Sequence, residues 1–111
     1  MYGSVKIGSK VVEMSANAAS PYFYKRTFGE DFLLAAQRTE TPDIYIYVKM
    51  GFIMAQTAQK SLEDLCKLKE SDFLKWVSEF NTVDIMNALP EIVSLYAAQE
   101  SGDSTPKKED G

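Results

Sequence analysis

The sequence predicts an α+β domain, mainly helical: an N-terminal β-hairpin packed on a small bundle of about four to six helices, ending in a disordered polar tail. Three observations predict it. Residues 4–15, SVKIGSKVVEMS, alternate in polarity around Gly8-Ser9. Beyond residue 20 the apolar residues recur at helical spacing. Between the two, Asp43–Ala58 (DIYIYVKMGFIMAQTA) carries a single charge, Lys49, from Ile44 to Ala55. A segment apolar on nearly every side has to be covered on nearly every side, so it is expected at the centre.

The hairpin comes first. Gly8-Ser9 is a two-residue turn with Gly at its first central position. Ile7 then falls opposite Lys10, Val5 opposite Val12 and Gly3 opposite Met14. Val5, Ile7, Val12 and Met14 share one face, and Ser4, Lys6, Val11 and Glu13 the other. A lone hairpin is marginal in water, so its apolar face is expected on the helices.

Ser20-Pro21 opens the first helix, with Ser20 as cap and Pro21 at the first helical position, where its missing N–H costs nothing. Tyr24 and Phe28 stand one turn apart. Gly29 ends this helix with positive φ, or bends a longer one, and Asp31 opens a further turn through Phe32–Gln37. Arg38–Pro42 links to the central segment. There Ile44–Val48 has strand propensity, but the run is long for a strand and ends in the helix-friendly MAQTAQ. A helix is expected, capped by Asp43 or Thr41, with Pro42 barring extension backwards. Gly51 would be a point where the hairpin or the C-terminal helices approach the backbone.

Gln59–Leu68 reads as a weaker helical segment, capped by Ser61, with Leu62, Leu65 and Cys66 inward. Ser71 is expected to cap Asp72–Phe80, where Phe73, Trp76, Val77 and Phe80 form one stripe. Asn81-Thr82 recaps the chain for Val83–Glu100, striped by Ile85, Leu89, Ile92 and Tyr96 and flanked by Met86 and Val93. Pro90 removes the bond to Met86, which predicts a kink or two short helices meeting there. Residues 1–100 thus form one domain. The tail 101–111, SGDSTPKKEDG, has no large apolar residue to offset its ordering entropy and is expected to be disordered.

Composition excludes more than it assigns. The 111 residues are 45% apolar and 25% charged, ordinary for one globular domain. Net charge is −4 and Lys and Arg are scattered, so no basic footprint for nucleic acid is present. The longest apolar run is short of the about 20 residues a bilayer requires, and no secretory leader opens the chain. One cysteine, Cys66, suits a reducing cytoplasm and reads as a small buried hydrophobe.

With no histidine, the chain lacks the commonest general base and metal ligand. The acid pairs Glu30-Asp31 and Glu63-Asp64 are adjacent, so on a helix they diverge and read as caps or solvated faces. No phosphate loop, metal-ligand spacing or nucleophile elbow appears. No catalytic, cofactor or metal residues are expected, and no cofactor. What stands out is the aromatic content, six Tyr and six Phe with Trp76. Most of it is expected in the core, with a surplus for an exposed groove that receives a partner helix.

Several pieces in order carry a resemblance: Tyr24, Phe28-Gly29-Glu30-Asp31 with Phe32-Leu33, then Ile53-Met54-Ala55, then Trp76–Phe80, and Leu89-Pro90-Glu91-Ile92 with Tyr96. Over about Val5 to Gln99 the chain resembles the tail assembly chaperones of long-tailed phages, particularly those of Gram-positive prophages. The resemblance implies a mainly helical α+β fold and a non-enzymatic function in the host bacterial cytoplasm. Such chaperones bind the long, helical tape measure protein, keep it soluble, and help tail tube protein polymerise around it, and they are absent from the finished virion. Tyr22, Tyr24, Phe28, Trp76 and Tyr96 are the expected partner-binding residues. It also implies a longer, frameshifted form: Pro106-Lys107-Lys108, if encoded CCA-AAA-AAG, would contain a slippery A-AAA-AAG. Surplus apolar surface leaves a homo-oligomer open. The competing expectation is a structural tail-completion or connector component of the virion.

Overall fold

The computed structural model describes residues 2–37 and 43–101, with side chains through Ala98. Strands β1 (Tyr2–Ile7) and β2 (Lys10–Ser15) are followed by helices α1 (Ser20–Phe28), α2 (Phe32–Ala36), α3 (Tyr45–Thr57), α4 (Leu62–Leu65), α5 (Glu70–Val77) and α6 (Thr82–Ser101). This is the mainly helical α+β domain the sequence predicts. The linker 38–42, with Thr41 and Pro42, and the tail from 102 onward, with Pro106-Lys107-Lys108, lie outside the described residues.

The strands pair antiparallel as Ile7↔Lys10, Val5↔Val12 and Gly3↔Met14, the expected register. Gly8 has φ 65° and no other residue of the turn is left-handed, so only the first central position needs glycine. Space demands it too, because a Cβ on Gly8 would run into the Asp84 carboxylate at the start of α6. Val5, Ile7 and Met14 are buried and Val12 half-buried, while Tyr2, Ser4, Lys6 and Glu13 are exposed. The buried face rests on two helices, α6 under β1 and α3 under β2.

Helix α3 is the centre. It packs on β2 and on all five other helices, and the six consecutive residues Met50–Ala55 are all buried. A strand in a two-stranded sheet hides one face; only a helix ringed by other elements hides six residues in succession. That is why its strand-forming Ile44–Val48 start does not prevail. The cap position falls on Ile44, which has no side-chain acceptor; Asp43, one residue earlier, takes the Tyr45 N–H on its Oδ1 at 2.9 Å, and the alternative cap Thr41 lies outside the described residues. Gly51 lets α6 come close, since a Cβ there would lie 3.2 Å from Ile92 Cδ1.

Helix ends differ from expectation where polar neighbours compete. Ser20 is not the cap of α1 but a buried first-turn residue: Ala19 is the cap, and Ser20 Oγ accepts the Asn17 N–H while Asn17 Oδ1 accepts the Ala19 N–H. Pro21 therefore sits second in the helix, where it still lacks no needed donor. Gly29, at φ 76°, closes α1 with its N–H on the Lys25 carbonyl, so two helices form rather than one bent helix. Asp31 caps α2 and Ser61 caps α4, as expected. Ser71 does not cap α5; the helix begins at Glu70, and Asp72 reaches back to the Lys69 N–H at 3.0 Å.

Two inward assignments, Leu62 and Cys66, also change, and so does one flank of the α6 stripe. Leu62 and Met86 are exposed, whereas Ala88 joins Ile85, Ile92 and Tyr96 on the buried stripe of α6. Cys66 is half-buried rather than buried. Nor do two short helices meet at Pro90: α6 is one helix, Thr82–Ser101. Pro90 and Met86 are both exposed, so water can serve the Met86 carbonyl that the proline leaves unbonded.

Candidate functional site

The aromatic residues that the sequence scatters over five segments form one run of touching rings. Tyr96 meets Phe32 (centroids 4.9 Å), Phe32 meets Tyr24 (5.1 Å), and Tyr24 meets Phe28 (5.1 Å). Phe28 meets Phe52 and Phe73, Phe52 meets Trp76 (5.6 Å), and Trp76 meets Phe80 (5.2 Å). Most pairs are edge-on or tilted, as the ring quadrupoles favour. Four of the five expected partner-binding residues, Tyr24, Phe28, Trp76 and Tyr96, belong to this run.

Being in one run does not put them on one surface. Tyr24 is 0% and Tyr96 3% exposed, so both are corrected from surface to core: each packs its ring on Phe32 of α2, and their helices α1 and α6 both pack on α3. Phe28 is half-buried at the end of α1. Tyr22, the fifth residue, stands outside the run, 58% exposed with its ring edge against Phe23. Trp76 is half-buried and lies between two clefts. One, of about 420 Å³, is framed by Gln56, Asp64, Lys67 and Asp72; the other, of about 640 Å³, lies between α5 and β2.

A polar cluster holds the middle of the run. The Tyr24 hydroxyl donates to Glu30 Oε2 at 2.6 Å, and the same oxygen is 3.8 Å from Lys49 Nζ. Lys49 in turn sits 5.2 Å over the Phe28 ring. The single charge of α3 is thus paired from the loop that Gly29 turns. Burial, then the bond to Glu30, pushes the Tyr24 hydroxyl far above the ordinary tyrosine range, so it stays a donor. A tyrosine with so high a pKa is no acid or base at neutral pH, and the cluster ties α1 to α3 through the loop before α2.

Helical spacing missed the exposed apolar residues next to α1. Leu33 and Leu34 on α2, and Ile44 and Tyr45 at the start of α3, are all exposed, Leu34 by 65%. The signal was present in FLLAA. Phe32 and Ala35, three apart, take the inward face of a short helix, which leaves the two leucines between them outward.

Among the described residues, no three His, Cys, Asp or Glu side chains gather as metal ligands, and no helix is long and apolar enough to cross a membrane. No family model matches the chain, and no curated protein or solved structure does either.

Proposed function

We propose that the chain is a non-enzymatic phage tail assembly chaperone, acting in the host cytoplasm, that binds the tape measure protein and keeps it soluble while the tail tube protein assembles around it. The order of the motifs Phe28–Leu33, Ile53–Ala55, Trp76–Phe80 and Leu89–Ile92 supports the reading. The observation that carries it is the set of exposed apolar side chains Tyr22, Leu33, Leu34, Ile44 and Tyr45 on the helical side of the domain. Single exposed leucines are ordinary; five large apolar side chains on three successive helices are what a holder of apolar helices needs. Each contact would be weak, and many copies along one rod would supply avidity.

Co-expression with a tape measure protein tests the reading. That partner is expected to become soluble with the wild-type chain, and less so with Tyr22→Ala or Leu34→Glu, whose thermal stability should stay close to wild type. No gain in partner solubility would count against a chaperone. Retention of the chain in purified particles in stoichiometric amount would favour the virion component instead.

A further inference from the structure

A different surface, the free edge of the hairpin, points to a second kind of partner, independent of the helix-holding reading. In a two-residue hairpin with this register, Ile7↔Lys10, Val5↔Val12 and Gly3↔Met14 are the hydrogen-bonded pairs. The backbone N–H and C=O of Val11 and Glu13 therefore point away from β1. No described residue meets them, and the side chains of both are exposed.

The cleft of about 640 Å³ runs along this edge. Four consecutive residues of β2, Lys10–Glu13, line it. A cleft on one face of a strand touches alternate residues, whereas one along its edge touches successive ones. Its far wall is this chain's own, built from Gln56, Gln59, Trp76, Glu79 and Phe80. The Gln56 and Gln59 amides and the Trp76 indole N–H bond to no described residue, so residues lining that wall have polar groups free to take a partner.

We infer that this cleft receives an extended segment of another polypeptide, added to β2 as a third strand. The open stretch of β2, Lys10–Glu13, is four residues long, so at a strand rise of about 3.3 Å it offers about 13 Å of edge to an added strand. Backbone bonds to Val11 and Glu13 give affinity on one side, and the glutamine amides and indole meet the incoming strand on the other. Every second side chain of the guest lands on Trp76 and Phe80 and is apolar or aromatic. Lys10 closes one end of the cleft, its Nζ 3.3 Å from Glu79 and 5.3 Å over Phe80.

The test uses the full chain and a panel of short capped peptides that alternate Thr with Val, Leu, Phe or Tyr. Trp76 is the only tryptophan, so its fluorescence reports the cleft directly. Members with aromatic inward positions are expected to shift its emission and to slow amide exchange at Val11 and Glu13. N-methylating the peptide amides along one edge should weaken binding about tenfold or more, as loss of backbone bonds requires. Val11→Pro, which removes an outward N–H at an edge where proline is tolerated, should do the same, while Lys6→Pro on the outer edge of β1 should not. If Val11→Pro unfolds the chain, the N-methylated peptides and the exchange readout decide alone. Binding that ignores N-methylation, or no binding by any member at millimolar concentration, would overturn the proposal. So would self-association that Val11→Pro abolishes, which would assign the edge to a second copy.

Discussion

Phe32 and Phe80 stand toward opposite ends of one run of aromatic rings, each edge-on to a neighbouring aromatic, yet only one is enclosed. Phe32 is 1% exposed, between Tyr24, Tyr47 and Tyr96. Phe80 is half-buried past the last turn of α5, with Trp76 on one side and the Lys10 ammonium on the other. The rings are chemically alike; what differs is the number of elements that cover them. α1, α3 and α6 close over Phe32, while beside Phe80 the hairpin stops short and leaves a cleft. A stripe of aromatics is therefore core or surface according to what another part of the chain lays over it.

The largest expected effect measures that difference directly. Phe32→Ala should lose about 3–5 kcal/mol of unfolding free energy, the range for an aromatic removed from a closed core. Phe80→Ala should lose about 1–2 kcal/mol, because part of its surface is already in water. Urea unfolding followed by circular dichroism gives both numbers. Equal losses would mean that the two ends are packed alike.

Next comes the polar cluster at the centre of the run. Tyr24→Phe keeps the ring and removes the donor to Glu30, at a cost of about 1–2 kcal/mol at neutral pH; bonds to charged groups are worth up to about 3, and Glu30 is a third exposed. The pH dependence has a definite sign. The folded Tyr24 pKa lies above its unfolded value of 10.0, so this contribution is complete below about pH 10. As pH rises further, the unfolded chain loses the proton while the folded chain keeps it, and stability falls. Wild type should lose stability between pH 10 and 11 more steeply than Tyr24→Phe, and parallel curves would show the hydroxyl to be less enclosed than its contacts indicate.

A smaller effect tests how tightly α6 closes the enclosed end. Gly51→Ala gains up to about 1 kcal/mol of helix propensity but brings a methyl to 3.2–3.3 Å from Ile92, where overpacking costs about 1–3. The net expectation is a loss of about 1 kcal/mol. Ile92→Val, which removes the nearest atom, should make the double variant more stable than the sum of the two single losses, by about 0.5 kcal/mol or more. Strict additivity would mean that α6 yields freely at this contact.

How much of this was legible follows from which physical rule decided each element. The hairpin was legible because a two-residue turn sets register and register sets faces, so Gly8-Ser9 alone places Val5, Ile7 and Met14 inward. The central position of α3 was legible because an all-round apolar run admits one kind of environment. Ser20 and Ser71 were misassigned because several polar side chains within three residues compete for one orphan N–H, and Asn17 and Asp72 have the better reach. Pro90 advertises a missing donor, but not that the freed carbonyl faces water. The candidate site was read least well for the same reason that separates Phe32 from Phe80. Spacing along a helix tells that Tyr24 shares a face with Phe28, Trp76 with Phe80 and Tyr96 with Ile92, and says nothing of which of those faces other elements will cover.

The smallest expected effect sharpens the other side of the comparison. Lys10 ties the hairpin to the open end, through Glu79 and the Phe80 ring. Both members of the ion pair are more than half exposed, so water and salt screen it, and the ring adds at most about 1 kcal/mol at such a site. Lys10→Ala should therefore cost less than about 1 kcal/mol and, with the ion-pair share gone, almost nothing relative to wild type in high salt. A loss of 2 kcal/mol or more would mean that Lys10 is holding the cleft wall in place, and the open end would then owe its shape to one tether rather than to the packing of α5 on α3.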